Sequence, residues 1–414
     1  MLQIETGLTV PAAPRTENKA HNAARDLPSA LSPARRSAWG EAVAVAAMPE
    51  AAWAALADRA AEPNAFYEPA WIGAMRAHAA AATPLRLLAA WDGRSRSQLL
   101  GLLPVVPAWH ALKLPLPLLV GWQAYAPLVT PLLAADAAEI AWHGLLDAAA
   151  ASGAQALLLP GFSAQGPAAQ ALERALAQRH LIPHAMAPIA RASLDAAADA
   201  DTLLRDALGA KKLKELRRQR HRLADSGPVT FDIAREPQAA AAALETFLAL
   251  EARGWKARRG TALLQKAGDA AFIRAAVPAL AAQGRCEIVT LAHGGVPVAA
   301  GIVLRQGQRA FFFKIAIEEN EARTSPGVQL TLDLTRALCA DPAIREADST
   351  ADANHPMIDH VWRGRLAIAD LFVPLAPRSR KAVLIRNLVV LRAAARSGAR
   401  TCYHALRALT EKRR

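Results

Sequence analysis

Apolar residues along this chain change their period repeatedly, and each change marks an element. Residues 41–47 alternate in steps of two, with Val43 and Val45 set between alanines, as a strand does. Residues 49–60 open on a proline and place Trp53 and Leu56 three apart, as one face of a helix. The apolar runs 85–91 and 98–106 flank Asp92-Gly93-Arg94-Ser95, a hairpin signal. A helix is predicted over 134–151, ended by Gly153, followed by a strand 156–159, a helix 167–179 and a strand 189–194. A second series repeats the rhythm with helix 201–224, strand 229–234 and helices 237–253 and 269–282. A meander of strands 287–292, 296–304 and 309–317 follows, turning at His293-Gly294-Gly295 and Arg305-Gln306-Gly307. Helix 326–340, strand 345–349, short helix 355–363 and strand 368–373 close the series, and a basic, partly apolar helix is expected over 381–409. This pattern predicts an α/β (α+β) fold made of two similar series, a weak duplication of one topology.

Length and composition sharpen that picture. The 414 residues exceed one ordinary domain, and 53% are hydrophobic, so two cores can be buried. The organisation expected is a disordered tail over 1–37, a first half over 38–196, a second over 197–376 and a basic tail over 377–414. The stretch 112–133 is the most apolar, but Pro115, Pro117, Pro127 and Pro131 interrupt it and Trp122, Gln123 and Tyr125 sit in its middle. A spanning helix needs about 20 mostly uninterrupted apolar residues, so buried strands and loops are expected there. No basic start with a long apolar run opens the chain, which argues against a secretory signal. Cys286, Cys339 and Cys402 are few and far apart, with no disulfide framework or metal-ligand spacing. A cytoplasmic protein without a metal is the expectation.

The formal net charge is +13, and its excess is concentrated. Residues 377–414 carry Arg378, Arg380, Lys381, Arg386, Arg392, Arg396, Arg400, Arg407, Lys412, Arg413 and Arg414 against one acid, Glu411. This tail reads either as a solvated helix packed on the body or as an interfacial helix making peripheral contact with an anionic membrane, here the inner membrane. A second cluster comprises Lys211, Lys212, Lys214, Arg217, Arg218, Arg220 and Arg222, with Leu213, Leu216 and Leu223 at helical spacing. It presents a cationic face suited to phosphates, or simply a solvated one. Without aromatic interleaving or a helix-turn-helix or zinc pattern, it argues against sequence-specific nucleic-acid binding.

The segment 309–348 concentrates the candidate chemistry. An apolar strand ends in a polar loop, and Ser325-Pro326-Gly327 then opens a helix. The first amides of a helix lack internal partners and carry positive potential, proline there removes an N–H that would be unpaired, and glycine lets an anion approach closely. Arg323 stands just before as a charge-assisted donor. Read on its own, Ser-Pro-Gly before a helix is more often an ordinary cap.

Several segments together resemble the GNAT-like acyltransferase family linked to cellulose and exopolysaccharide biosynthesis. Leu250-Glu251-Ala252-Arg253-Gly254-Trp255-Lys256 followed by Gly260-Thr261-Ala262-Leu263 is similar to its "LE…WK…G.AL" segment, and Ser325-Pro326-Gly327 to its "SPG" loop. Asp348 with His355 to Trp362 resembles its closing "D…W" region, and Phe66 to Trp71 its "F.SP.W" opening. The resemblance covers about residues 39–375 and implies two tandem GNAT-like halves, mixed central sheets flanked by helices. It also implies an acyl donor held by Arg323, Ser325, Pro326, Gly327 and Val328, with its thioester along strand 311–317. Acyl-CoA, notably acetyl-CoA, is the donor implied. The classical loop has more glycines than the one kept here, and similar paired halves in Fem-type transferases take aminoacyl-tRNA, which stays open as the alternative.

Acyl transfer needs a base for the attacking amine or hydroxyl and a donor for the developing oxyanion. Lys314, mid-strand in an apolar run, is read as that donor or as a solvent-facing lysine; strict alternation sets it opposite to Phe313 and Ile315. Glu251, Asp348 and His355 are the candidate bases. Glu251 stands near a helix C-terminus that disfavours it, Asp348 ends a strand where α/β sites form, and His355 titrates in the useful range. Each also has a structural reading: surface charge, strand-end acid, helix cap. Trp255 and Trp362 are expected to pack or to wall a substrate pocket, and Lys256 to hold a substrate phosphate or sugar acid. Three functions follow. The first is acyl transfer to a glycan-like precursor or small amine. The second is Fem-like aminoacyl transfer. The third is a non-catalytic membrane-surface scaffold of polysaccharide assembly.

Overall fold

The computed structural model describes residues 37–80 and 83–411, without the side chains of 322, 323 and 397–411. Residues 1–36 of the expected tail lie outside the described residues. The first series runs β1 (Ala38–Ala44), α1 (Glu50–Asp58), α2 (Pro69–Ala77), β2 (Arg86–Asp92), β3 (Leu99–Pro107), α3 (Ala108–Leu112), β4 (Leu118–Gly121), β5 (Leu132–Leu133), α4 (Ala138–Ala151), β6 (Ala156–Ser163), α5 (Pro167–Gln178) and β7 (His184–Asp195). The second runs α6 (Ala200–Ala224), β8 (Val229–Ala234), α7 (Pro237–Arg253), α8 (Trp255–Arg258), α9 (Ala267–Ala281), β9 (Cys286–His293), β10 (Val296–Gln306), β11 (Arg309–Ile317), α10 (Pro326–Ala340), β12 (Glu346–Asp348), α11 (Ile358–Val361) and β13 (Gly364–Pro374). A final helix, α12 (Arg380–Glu411), follows.

These strands form one mixed sheet in the order β1-β2-β3-β4-β6-β13-β7-β12-β11-β10-β9-β8, with β5 paired to β3. The order reads the same inward from either edge: five strands of one series, then an inner strand. In each series the fourth and fifth positions pair parallel, β4 with β6 and β11 with β12, while the other pairs are antiparallel. A parallel pair needs a crossover, and α4 and α10 supply them. The two innermost strands are exchanged: β13 ends the second series yet pairs with β6, and β7 ends the first yet pairs with β12. The duplication expected from the sequence is thus visible in the topology, and each series completes the other's sheet.

Strand alternation sorts the second series onto two cores. Ile288, Ala300, Ile302, Leu304 and Phe311 face α7 and α9 and merge with the core of the first series. Val289, Leu291, Val303 and Phe312 face α10 and α6 on the other side. Polar ties cross between the series. Asn64 donates to the Leu128 carbonyl at 3.1 Å and the Thr130 carbonyl at 2.7 Å, and its own N–H bonds Gln306 of β10. Arg191 of β7 pairs with Asp348 of β12 at 2.6 Å, both buried, and its second nitrogen donates to the Pro127 carbonyl at 3.0 Å.

Most elements fall where the periodicity places them, with three instructive differences. The helix expected as continuous over 201–224 is broken at Gly209, whose φ of 74° and ψ of 158° leave the helical region, so the basic stretch 210–224 is its own segment. Strand β7 starts five residues earlier than its apolar run, because His184 to Met186 pair with β13 through backbone groups and need no apolar alternation, with Ala187 and Pro188 in a register shift between the two paired stretches. The short helix α8 was not anticipated; four residues carry no readable period.

Removing one partner of a buried ion pair costs about 3–5 kcal/mol. Asp348→Ala is therefore expected to destabilise the chain by that order in chemical denaturation. The Arg191→Met/Asp348→Leu double variant is expected to recover most of the loss.

Candidate active site

The pairing of β11 with β12 covers only Arg309↔Glu346, Ala310↔Ala347 and Phe311↔Asp348. Beyond it, β12 leaves with β7: the Ser349 N–H bonds the Ala192 carbonyl at 3.1 Å. Thr350, with φ at 51°, turns its hydroxyl back to the Phe312 carbonyl at 2.8 Å. Among the described residues, strand β11 runs on to Ile317 with no strand beside it on that edge. The Glu318 N–H bonds Val298 on the β10 side, so alternation turns the N–H and C=O of Ile315 and Ile317 toward the gap. A cavity of about 620 Å³ occupies the gap.

A bulge sets which side chains enter it. The register of β10 against β11 slips between Ile302 and Val303, so Ile302 faces Lys314 while Val303 faces Phe312, leaving Phe313 as the extra residue. Before the bulge Phe311 faces the α7 side. After it, Lys314 and Ala316 do, and Ile315 and Ile317 turn to the α10 side. Phe313 itself packs edge-on to Trp71, with centroids 5.1 Å apart. Strict alternation had placed Lys314 opposite to Phe313. The bulge reverses the parity and aims both toward α7.

There Lys314 meets a buried carboxylate. Glu251, in the last turn of α7 and only 2% exposed, receives Lys314 Nζ on Oε1 at 3.2 Å and lies 3.4 Å from Lys256 Nζ. Its other oxygen accepts the Leu263 N–H at 2.8 Å. Lys256 also donates to the Ile315 carbonyl at 2.6 Å, on the free edge of β11. Burial, and next the Lys314 ammonium, push the Lys256 amine down to about 8 against the opposing pull of Glu251. Helix α8, which carries Lys256, is fixed from across the gap. Glu319, just after β11, accepts the Trp255 N–H and pairs with Arg258 at 2.6 Å.

The first series supplies the facing wall. Its own parallel pair, β4 with β6, also stops after three residues, but the following loop fills the space it leaves. Leu128, Val129 and Thr130 are fully buried there, and Val129 sits where a side chain on Gly121 would stand. The Tyr67 hydroxyl donates to the Trp122 carbonyl at 3.0 Å and holds the loop's start. Gln123, Tyr125, Ala126 and Pro127 project from this filled gap into the lining of the open one. Tyr125 stands at φ 52°, and Trp71 donates to its carbonyl at 3.2 Å. Burial, then a hydrogen bond with Asp269, raises its phenol far above the ordinary range.

The candidates singled out from sequence separate into three groups. Glu251, Lys314, Lys256, Trp255 and His355 line one cavity. Trp255 is half exposed, with the Arg259 guanidinium 4.8 Å over its ring. His355 Nδ1 accepts the Met357 and Ile358 N–H groups at 3.3 and 3.5 Å, so this ring nitrogen caps α11. Asp348 stands behind the cavity, committed to Arg191 and to the Thr350 N–H at 2.8 Å. Trp362 is fully buried, donating to Thr335 Oγ1 at 2.9 Å and packing near Phe312: a core residue, not a pocket wall. The donor loop follows β11 directly. Ser325 and Val328 are partly exposed, while Pro326 and Gly327 are buried. A side chain on Gly327 would meet Ile317, Met357 and Ile315, which stand between the helix mouth and the cavity. The Arg323 side chain lies outside the described residues. Sequence reasoning missed Gln123, Tyr125, Asp269 and Thr350. For the first two, the signal was their polarity within an apolar, proline-rich stretch. Among the described residues no group of three metal-ligating side chains stands together.

Residues 210–355 match the sequence model of a family described as an acetyltransferase (GNAT) domain. No curated protein matches the chain in sequence. Among solved structures, that of FemX is 11% identical, covers 82% of this chain and 98% of its own, and superposes with a TM-score of 0.52. That likeness is one of fold. The C-terminal domain (DUF2156) of a putative lysylphosphatidylglycerol synthetase from Agrobacterium fabrum is 14% identical over 72% of this chain and 86% of its own, at 0.46. A tandem GNAT protein from the clavulanic acid biosynthesis pathway is 17% identical over 83% and 100%, at 0.38.

An amine of pKa about 8 keeps a far larger neutral fraction at pH 7 than an ordinary lysine. Lys256 is expected to react roughly tenfold or more faster than the exposed Lys211 with an amine-selective acylating reagent at pH 7, read by peptide mass spectrometry, with a midpoint in its pH profile near 8.

Proposed function

We propose that the chain is an acyltransferase that moves an acyl group from a phosphate-bearing carrier to an amine in the cavity beside β11. The observation that carries this reading is the pair of lysines, one with its pKa lowered to about 8, sharing the buried Glu251 beside a strand edge with free backbone groups. An extended carrier arm adds to such an edge as a strand would. The GNAT domain match over residues 210–355 supports the reaction class.

The residues divide the work as follows. The acceptor nitrogen attacks the acyl carbonyl carbon while neutral Lys256 takes its proton. The carbonyl oxygen gains negative charge facing the Lys314 ammonium. Collapse of the tetrahedral intermediate breaks the bond to the carrier sulfur or oxygen, which leaves with the proton now on Lys256. Glu251 holds both ammonium groups in place and balances one of their charges. Tyr125 and Gln123 face the acceptor. The carrier passes Ile317 toward the loop 323–328, and its phosphates follow the cationic face of α6, which packs on α10, α11 and that loop. Acetyl-CoA is the preferred donor, and the glycan-like or small-amine acceptor, exopolysaccharide assembly and the cytoplasmic setting belong to the same proposal. The cationic groove along Lys211, Lys212, Lys214, Arg217 and Arg218 favours one second reading, an aminoacyl-tRNA donor, because its length suits a polyanion.

The test measures transfer to a panel of amines, glucosamine included, with acetyl-CoA and with aminoacyl-tRNA. The expected rate rises with pH through about 8 as Lys256 loses its proton. Lys256→Met is expected to lower kcat by roughly 10²–10⁴ and to abolish that inflection, with KM for the donor little changed. No turnover and no donor hydrolysis with either carrier would reject catalysis and leave the scaffold reading. Turnover unchanged in Lys256→Met would reject this base.

A further inference from the structure

Helix α12 has a constitution that acyl transfer does not explain. Ala382, Ile385 and Val389 recur at helical spacing and are buried, so this face anchors the helix to the body. The opposite face should then be polar. Instead Val383, Leu384, Leu388, Val390 and Leu391 all stand in solvent, Leu384 60% and Leu391 64% exposed. Ile182, 72% exposed, stands beside them. With Val383 it lines a hollow of about 810 Å³ at the start of the helix, which Arg378 and Arg386 also border.

From 380 to 392 the charges are placed with equal regularity, while Arg396 further along falls in line with the buried stripe. At 100° per residue, Lys381, Arg386 and Arg392 fall on the flanks between the buried and the outward apolar stripes. Arg380 stands at the amino-terminal end of the outward face, and Asn387 is its other polar member between 380 and 392. From 377 to 410 the sequence has no Asp or Glu. Apolar side chains pointing outward with cations along their borders are what a bilayer interface selects: aliphatic groups enter the acyl boundary while guanidinium groups reach up to phosphates. No described helix is long and apolar enough to cross a membrane, so the contact is side-on.

We propose that α12, with Ile182 beside it, docks this chain side-on against an anionic phospholipid surface. Two other occupants fit less well. A nucleic acid calls for cations along the outward face, where this helix carries valine and leucine. A second copy would bring two rows of arginine together with no acid to offset them.

The experiment is co-sedimentation of the full chain with vesicles of phosphatidylcholine alone and of phosphatidylcholine mixed with phosphatidylglycerol. The full chain is expected to bind the anionic vesicles, to bind less as salt is raised, and to remain in solution with the neutral ones. Leu384→Glu/Leu391→Glu is expected to weaken partition about a hundredfold, with its thermal melting curve unchanged because both positions are exposed. The proposal is overturned if the full chain ignores both vesicles, or if the double variant binds as well as the parent. It is equally overturned if light scattering finds a dimer that the double substitution dissolves, which would make a second copy the occupant. None of these readouts involves acyl transfer, so the docking surface stands or falls apart from the catalytic reading.

Discussion

The parallel pairing of β11 with β12 stops after three residues, and the rest of the molecule is arranged around that termination. A parallel neighbour must arrive through a crossover helix, and β12 arrives from α10 only to depart at Asp348 along β7. The remaining length of β11 keeps its ladder with β10 on one edge and loses it on the other. Backbone groups left open in this way would be costly if sealed in a dry interior. Here they face a cavity, and Lys256 satisfies one of them through the Ile315 carbonyl. An ordinary full-length β12 would close the cavity and leave Lys256 without this partner.

The duplicated topology makes the same gap twice, and the two copies resolve it differently. In the first series, residues 122–131 fold back into the space and bury Leu128, Val129 and Thr130. In the second, the space stays open and is walled by the tip of that same loop. The exchange of β7 and β13 ties the two outcomes together, because Arg191 comes from the first series, Asp348 from the second, and Pro127 from the filling loop. One buried cation thus fixes the strand that opens the gap and the loop that faces it. The filled copy works as a wall because it is itself rigid, held by Asn64, Tyr67 and Trp71.

Much of this was legible in the sequence. The two strand–helix series and the meander stand out by periodicity, Lys314 as a charge in an apolar run, Glu251 as a carboxylate near a helix C-terminus, and Lys256 by its place in the Leu250-to-Lys256 segment. What escaped reading depends on contacts between distant residues. The strand exchange leaves no local trace, since β7 and β13 would look the same in their own sheets. The bulge at Phe313 sits in a run of three phenylalanines that reads as a regular strand, so Lys314 was assigned the wrong face. Ser325-Pro326-Gly327 has the composition of an open anion cradle, yet side chains from β11 and from Met357 cover Gly327, and no pattern within the loop carries that information. Trp362 and Asp348 belong to recognisable segments, but the sequence does not separate a packed tryptophan or a paired aspartate from residues that touch substrate.

The charge balance inside the cavity explains why a carboxylate belongs there at all. Unit charges 3.2–3.4 Å apart attract by roughly 5 kcal/mol at an effective dielectric near 20, and burial of each group opposes that attraction. One carboxylate cannot fully compensate two ammonium groups. The three-residue cluster therefore carries a net positive charge while both lysines are protonated, and releasing one proton neutralises it. Lys256 is the lysine whose amine is depressed, so it is the one that yields. Protonated, the pair favours an anionic or electron-rich oxygen at Lys314. Deprotonated, Lys256 can take a proton while Lys314 stays paired with Glu251. On the proposed reading, binding and proton removal are two states of one three-residue cluster, and the parity change at Phe313 is what places Lys314 within it.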